Sequence, residues 1–196
     1  MLSAVMKEMK RNNYKVFNYQ HPRDYNLNIV GIRSKNQTVN EFNDYIGAFY
    51  ETEDGKWRSK FWKATTDPGT YYLLNPMNVT GTAVLVPNQY RSSFKVGYHQ
   101  GRYKALVQCK SVDVYRDNNR DSNLDFDRSS IERGMFGINI HRASTNTKRV
   151  DKWSAGCQVF ANLKDFNEFM QLVEASSRVW GSRFTYTLLD GKEMGI

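Results

Sequence analysis

The sequence predicts one mainly-β domain with a few helices, folded as a sandwich or a partly closed barrel. Short runs that alternate apolar and polar residues recur along the chain, and turn residues separate them. Helical periodicity is confined to a few stretches, of which one is long. With 196 residues and no repeat or linker, the chain has the size of a single domain that buries its own core.

The first half of the chain begins with a predicted helix and continues with strands. Leu2, Val5, Met6 and Met9 recur at helical spacing, which predicts a short amphipathic helix within an N-terminal extension, residues 1–26. A strand follows over 27–33. Asp54-Gly55 lies between two aromatic-rich runs and predicts a type I′ hairpin. A turn of helix within residues 38–46 is an alternative prediction, since Thr38 and Glu41 fit a capping box.

The second half contains further strands and the long helix. Asn162 is a predicted N-cap, and the apolar residues after it line one face of a helix over 162–177. Alternating patterns predict a turn and short strand at 67–76, a strand at 81–87, two or three strands within 92–117, and single strands at 135–141 and 182–190.

Composition narrows the partners of this protein. The net charge of +8 favours a polyanion such as nucleic acid, anionic lipid or a bacterial envelope polymer. Nucleic acid is the least favoured of these, because no nucleic-acid-binding motif accompanies the charge. No segment has the roughly 20 apolar residues that a membrane span needs. The first 17 residues have no signal-peptide pattern, which predicts cytoplasmic synthesis, and Cys109 and Cys157 are expected to be free thiols.

A histidine and a cysteine mark the candidate site. His141 ends a predicted strand, and the chain returns through Ser154, Gly156 and Cys157. A cysteine nucleophile needs a lowered pKa and a nearby base, and a glycine turn can aim backbone amides at a developing oxyanion. Judged from residue types alone, the more frequent interpretation is a buried structural cysteine and an ordinary histidine with no catalytic role.

The pattern His, a spacer of 12 residues, then Ser-Ala-Gly-Cys resembles the catalytic motif of the L,D-transpeptidase (YkuD-like) family of cysteine enzymes. The segment "FWKATTDPGTYYLLNP" resembles the turn and aromatic strand upstream of that motif, so the resemblance covers about residues 45–190. It implies a YkuD-type β fold over 27–196 with a helix after the cysteine.

The resemblance implies roles for four residues. Cys157 is the nucleophile, His141 is its base, Gly156 and Cys157 supply oxyanion amides, and Ser154 shapes the loop. The family cleaves the bond after the L-centre of a diamino acid in peptidoglycan stems, and a thioester passes the acyl group to an amine or to water. This chain departs from the family at Ala155, where relatives have a second histidine, and in its shorter spacer.

Three further residues are candidates for substrate binding. His99 lies between two glycines near aromatic residues, Arg142 follows the candidate base, and Trp153 precedes the candidate loop. A surface position for His99 and a packing role for Trp153 are the alternatives.

A separate loop has calcium-like spacing. Positions 1, 3, 5, 7 and 9 of a Ca²⁺-binding loop correspond to Asp117, Asn119, Asp121, Asn123 and Asp125. The loop lacks the central glycine and the final bidentate glutamate of an EF-hand, so an Asx-rich turn is the alternative.

The expected function is therefore a cysteine acyl-transfer enzyme acting on peptidoglycan, either a transpeptidase or an endolysin-like hydrolase, that needs no cofactor for catalysis. A cell-wall enzyme without an export signal indicates a bacteriophage lysis or virion-associated protein, with other lysis or virion proteins as its partners. The alternative is a non-catalytic wall-binding or virion structural module that retains the fold.

Overall fold

The protein is described here from a computed structural model, which describes residues 1–36, 38–144 and 147–196. Its eleven strands within these ranges are β1 (Asn28–Arg33), β2 (Asp44–Glu51), β3 (Trp57–Thr65), β4 (Thr82–Leu85), β5 (Asn88–His99), β6 (Tyr103–Gln108), β7 (Val112–Asp117), β8 (Glu132–Gly134), β9 (Ile140–Arg142), β10 (Gln158–Phe160) and β11 (Arg183–Asp190). The helices are α1 (Leu2–Arg11), α2 (Thr70–Leu74) and α3 (Leu163–Trp180). The prediction of a mainly-β fold is confirmed.

Eight of the strands close into a barrel, in the order β1-β11-β5-β6-β9-β10-β3-β2. Most neighbours are antiparallel, but β1 pairs with β11 and β9 pairs with β10 in parallel. The other three strands form a small sheet in the order β4-β7-β8. The β9–β10 pair brings the segment of His141 beside that of Cys157.

Both predicted helices form. The side chain of Asn162 accepts a hydrogen bond from the amide of Asp165, as an N-cap does, and α3 then runs three residues further than predicted. Helix α3 packs its apolar face on the barrel through Phe166 and Phe169. Helix α1 shares a second apolar cluster with strand residues such as Phe49. The N-terminal segment is therefore packed against the barrel.

Three local predictions are wrong. The strand predicted at 135–141 forms only at its end, since β9 begins at Ile140. The stretch predicted as a short strand at 67–76 contains α2, in which the amides of Tyr72 and Leu73 donate to the carbonyl of Gly69. The β2–β3 hairpin is closed by a longer loop instead of a type I′ turn, since the Thr52 amide donates to the Lys56 carbonyl and only Gly55 within the loop has positive φ. The alternative helix over 38–46 is absent, because β2 begins at Asp44.

Candidate active site

The segment Ser154–Cys157 is a tight turn held by its own hydrogen bonds. The buried Ser154 hydroxyl donates to the Cys157 carbonyl at 2.8 Å and accepts from the Gly156 amide at 3.1 Å. Gly156 has φ +118°, and a Cβ atom there would overlap the carbonyl oxygen of Ala83. Only glycine fits this position, and the turn places Cys157 immediately before β10.

A buried polar chain holds the turn from inside the barrel. The Gln158 side chain donates to the carbonyl oxygens of Gly156 at 3.3 Å and Thr66 at 3.2 Å. Its own carbonyl oxygen accepts from the Tyr186 hydroxyl at 2.7 Å. Because Gln158 and Tyr186 are fully buried, these hydrogen bonds tie the turn to the interior of the barrel.

The Cys157 thiol is protonated in its resting state. Its sulfur accepts from the Asn139 amide at 3.4 Å and donates to the Gly137 carbonyl at 3.5 Å. Donation to a carbonyl requires the S–H form. Burial raises the pKa of this thiol to about 11, and the Asn139 amide opposes that effect only in part. The site therefore holds a thiol at neutral pH.

His141 has a defined tautomer. Its Nδ1 lies 3.0 Å from the Arg142 carbonyl oxygen, which can only accept, so Nδ1 carries the proton and Nε2 has the free lone pair. The residue is 3% exposed. Burial, and then the neighbouring His99, lower the pKa of His141 to about 3. The imidazole is thus a neutral base that presents Nε2.

Strand register places the two candidate catalytic residues at neighbouring positions. In the parallel β9–β10 pair His141 lies opposite Val159, two residues after Cys157. With standard strand spacing and rise, the Cα atoms of His141 and Cys157 are about 8 Å apart. The Tyr103 hydroxyl lies 3.5 Å from His141 Nδ1. Burial raises the pKa of Tyr103, and the nearby Cys157 adds to this.

His99 is packed against His141. The two imidazole rings stack with centroids 3.9 Å apart and an interplanar angle of 18°. The side-chain oxygen Oδ1 of Asn139 accepts from the backbone amide of Gln108. The side-chain NH₂ group of Asn139 therefore faces His99 and donates to its Nδ1 at 3.2 Å. Hence His99 carries its proton on Nε2. Burial, followed by Arg102, lowers the pKa of His99.

The other predicted site residues lie around this core. Arg142 places its guanidinium over the Tyr103 ring at 4.5 Å and donates to the Ala143 carbonyl at 3.2 Å. Trp153 is 40% exposed on the segment that enters the Ser154 turn. The structure therefore places Arg142 against Tyr103, which contacts His141, and leaves Trp153 on the surface.

The two predicted oxyanion amides differ. The Gly156 amide already donates to Ser154 and so is engaged within the turn. Among the residues that the structure describes, we find no acceptor for the Cys157 amide. The Cys157 amide is thus the donor that is available to a developing oxyanion.

Asn139 and Tyr103 belong to the site but were missed from the sequence. Asn139 contacts both the thiol and His99, and the Tyr103 hydroxyl lies 3.5 Å from His141 Nδ1. One signal was present, since Asn139 precedes His141 by two residues and so shares its face of a strand. No sequence signal placed Tyr103, because it comes from a distant hairpin.

The calcium-like loop is closed by its own hydrogen bonds. The Asn119 NH₂ group donates to Asp121 at 3.0 Å and Asp125 at 2.8 Å, and the Asn123 amide donates to Asp121 at 2.7 Å. In the described ranges, no three His, Cys, Asp or Glu side chains are grouped to hold a metal. Within the part of the chain that the structure describes, one oxygen of the buried Asp117 lacks a hydrogen-bond partner. Burial raises the pKa of Asp117 to about 6, and the Asp125 and Asp121 charges add to this.

Both cysteines are free. No known protein family, curated protein or solved structure matches this chain. Among the residues described, none of the helices is both long and apolar enough to span a membrane.

Proposed function

We propose that this protein is an L,D-transpeptidase-like cysteine acyl-transfer enzyme that acts on peptidoglycan stem peptides. The observation that carries the proposal is the neutral His141, which holds Nε2 free as a base on the strand beside Cys157. A buried histidine with a fixed tautomer beside a thiol is the arrangement that a nucleophile–base pair needs.

The proposed reaction begins from the neutral pair. As the sulfur attacks the substrate carbonyl carbon, its proton passes to His141 Nε2 and an S–C bond forms. The carbonyl oxygen becomes an oxyanion that the Cys157 amide stabilises. When the tetrahedral species collapses, the C–N bond breaks and the imidazolium returns its proton to the leaving amine. Water or an amine then attacks the thioester, and this restores the thiol.

The choice of substrate rests on the motif resemblance and on charge. Peptidoglycan and associated wall polymers are anionic, and the protein carries a net charge of +8. We therefore propose the bacterial cell wall as its place of action and a phage lysis or virion-associated setting, with other lysis or virion proteins as partners. Both transpeptidation and hydrolysis are consistent with one thioester intermediate.

A carbapenem tests the proposal, because ring opening by a thiolate leaves the whole drug attached to the enzyme. We expect intact mass to increase by one carbapenem per chain, and the adduct to vanish in Cys157→Ala. His141→Ala should slow acylation about 100-fold or more, which is the usual contribution of a general base. Cys109→Ser, which removes the other thiol, is the matched control and should acylate normally.

The alternative is a non-catalytic wall-binding or virion module. It is favoured by the raised pKa of Cys157 and by the engaged Gly156 amide, which both oppose thiolate chemistry. Binding to purified sacculi without any carbapenem adduct would support it over the enzyme. If an adduct forms, the muropeptides released from sacculi will separate hydrolysis from cross-linking.

The proposed acyl transfer uses protein side chains. A structural Ca²⁺ ion in the 117–125 loop stays a prediction, supported by the unpartnered oxygen of Asp117. If the ion binds, CaCl₂ should raise the melting temperature relative to EGTA in the parent protein and in Asp54→Asn, a control in an exposed turn. The difference should disappear in Asp121→Asn, and equal melting in CaCl₂ and EGTA for the parent would contradict the prediction.

A further inference from the structure

Asp44 is a buried carboxylate at the start of β2 that the proposed reaction does not use. It is 2% exposed. Its Oδ1 accepts from the Ser34 amide at 2.7 Å, and its Oδ2 accepts from the Thr66 amide at 2.7 Å and from the Thr66 hydroxyl at 2.8 Å. Two of these three donors therefore belong to one residue, Thr66, which directly follows β3.

Thr66 connects this carboxylate to the turn of the candidate nucleophile. Its carbonyl oxygen accepts from the Gln158 NH₂ group at 3.2 Å, and the same NH₂ group donates to the Gly156 carbonyl at 3.3 Å. The Gly156 carbonyl and the Cys157 amide belong to one planar peptide group. Gln158 therefore holds the peptide group whose N–H is the oxyanion donor, and Asp44 orients the residue to which Gln158 is bonded.

A second hydrogen bond joins the same segment to the turn. Three residues after Thr66, the Gly69 amide donates to the Ser154 carbonyl at 2.9 Å. A Cβ atom at Gly69 would overlap the backbone of Asp151, so the two segments approach as closely as only glycine allows. The segment is therefore bonded to the start of the turn directly and to the oxyanion peptide group through Gln158.

The charge of Asp44 depends on its buried surroundings. Burial, and then the Asp67 charge, raise the pKa of Asp44 to about 7. Asp67 itself pairs with the buried Arg33 at 2.7 Å. Tyr186 and Asp190 lie within electrostatic range of this group on β11, and burial raises the pKa of Tyr186 well above its usual value, so Tyr186 stays uncharged. Asp44 therefore gains its negative charge near neutral pH, beside an existing ion pair.

The ionised and protonated forms of Asp44 bind Thr66 differently. A carboxylate only accepts, so it bonds the Thr66 amide and hydroxyl together, and charge-assisted bonds are about twice as strong as neutral ones. A protonated carboxyl has its own O–H, which competes with the Thr66 hydroxyl proton. Resting on the proposed function, we propose that Asp44 is a positioning residue whose carboxylate, acting through Thr66 and Gln158, holds the oxyanion amide of the turn in its working orientation.

The pH dependence of carbapenem acylation tests this role. The Cys157 thiol and the His141 imidazole are both neutral from pH 5.5 to pH 8.5, so this pair alone gives a constant rate. We expect the parent rate to rise about threefold to tenfold across this range with a midpoint near pH 7, because one hydrogen bond contributes a factor of this size. Asp44→Asn carries a donor, as the protonated carboxyl does, and should keep the low-pH rate throughout. The ratio of the two rates cancels any titration of the drug itself.

Further variants separate positioning from a loss of stability, and they apply even if Asp44→Asn does not fold. Thr66→Val removes the hydroxyl and keeps the amide, so it should slow acylation at pH 8.5 about threefold. Thr66→Ser retains the hydroxyl and should acylate as the parent does. Val5→Ala is the matched control, because Val5 is fully buried in the α1 cluster, and this variant should keep the parent rate and profile.

The outcomes separate the positioning role from the enzyme. Acylation of the parent at one rate from pH 5.5 to pH 8.5, or a ratio of parent to Asp44→Asn rates that does not change with pH, overturns the positioning role alone. An equal loss of rate in Val5→Ala also overturns it, because the effect would then follow stability. Absence of any acylation by the parent overturns both the positioning role and the proposed function.

Discussion

The resting charge state of Cys157 has a measurable consequence for its reactivity. In a Cys109→Ser background, Cys157 is the only thiol, so its alkylation by iodoacetamide can be followed by intact mass from pH 5 to pH 10. Only the pH is varied in this experiment. Because burial raises the pKa of Cys157 to about 11, the alkylation rate should rise about tenfold for each pH unit across this range.

The expected alkylation rate at pH 7 follows from the fraction of Cys157 that is a thiolate. A pKa of about 11 leaves about one thiolate in 10⁴ at pH 7, against about one in 100 for a thiol at the ordinary value of 9.0. The more basic thiolate is intrinsically more nucleophilic by about sixfold to tenfold. Alkylation at pH 7 should therefore be about tenfold slower than for an exposed cysteine derivative, and slower still where the reagent has limited access.

The His141→Ala variant makes the test specific. Since His141 is neutral above about pH 3, its removal should leave the alkylation profile unchanged within a few-fold, although it slows carbapenem acylation strongly. A rate that is flat between pH 5 and pH 8 and that acquires a steep slope in His141→Ala would falsify this reasoning. Such a profile would mean that a thiolate–imidazolium pair already exists in the resting protein.

Three other predictions concern the framework of the site. Tyr103→Phe should slow carbapenem acylation by less than about threefold, because its hydroxyl contacts are at 3.4–3.5 Å, and a 100-fold loss would contradict this. Gly156→Ala should reduce the free energy of unfolding, measured with urea, by about 3 kcal/mol or more, because the new Cβ overlaps the Ala83 carbonyl. Gly55→Ala is the control and should cost about 1 kcal/mol, since a Cβ there has open space. Equal costs for the two variants would contradict the overlap at Ala83. Burial, and then Asp67, raise the pKa of Asp44 to about 7, so the folded state binds a proton that the unfolded state releases near pH 4. The free energy of unfolding should fall by about 2 kcal/mol from pH 5.5 to pH 8 through this group, and the loss should be smaller by that amount in Asp44→Asn.

The strands and long helices were predictable because their signals are local. Alternating apolar residues and the Asn162 cap depend on neighbours in sequence, and they gave most of the strands and helix α3. Helix α2 was missed because its aromatic residues favour strands, whereas burial of Leu73 and the bonds to Gly69 decide the conformation. The hairpin loop was wrong because the Asp54-Gly55 pair does not fix loop length.

The candidate site was predictable only in the part that lies along one segment. His141, Ser154, Gly156 and Cys157 come from two neighbouring strands and the chain between them. The stacked His99, by contrast, comes from the end of β5, and its contact depends on the closure of the barrel.

The stacked imidazoles explain how a site with Ala155 can still contain two histidines. In the family that the motif resembles, the second histidine directly precedes Gly-Cys, whereas here His99 reaches His141 from another strand. Two stacked imidazoles cannot both be charged without strong repulsion, and Asn139 fixes His99 as a neutral acceptor. Burial, and then the stacked His99, keep His141 unprotonated at any pH above about 3. The same burial holds the thiol protonated, so charge separation has to accompany attack on the substrate.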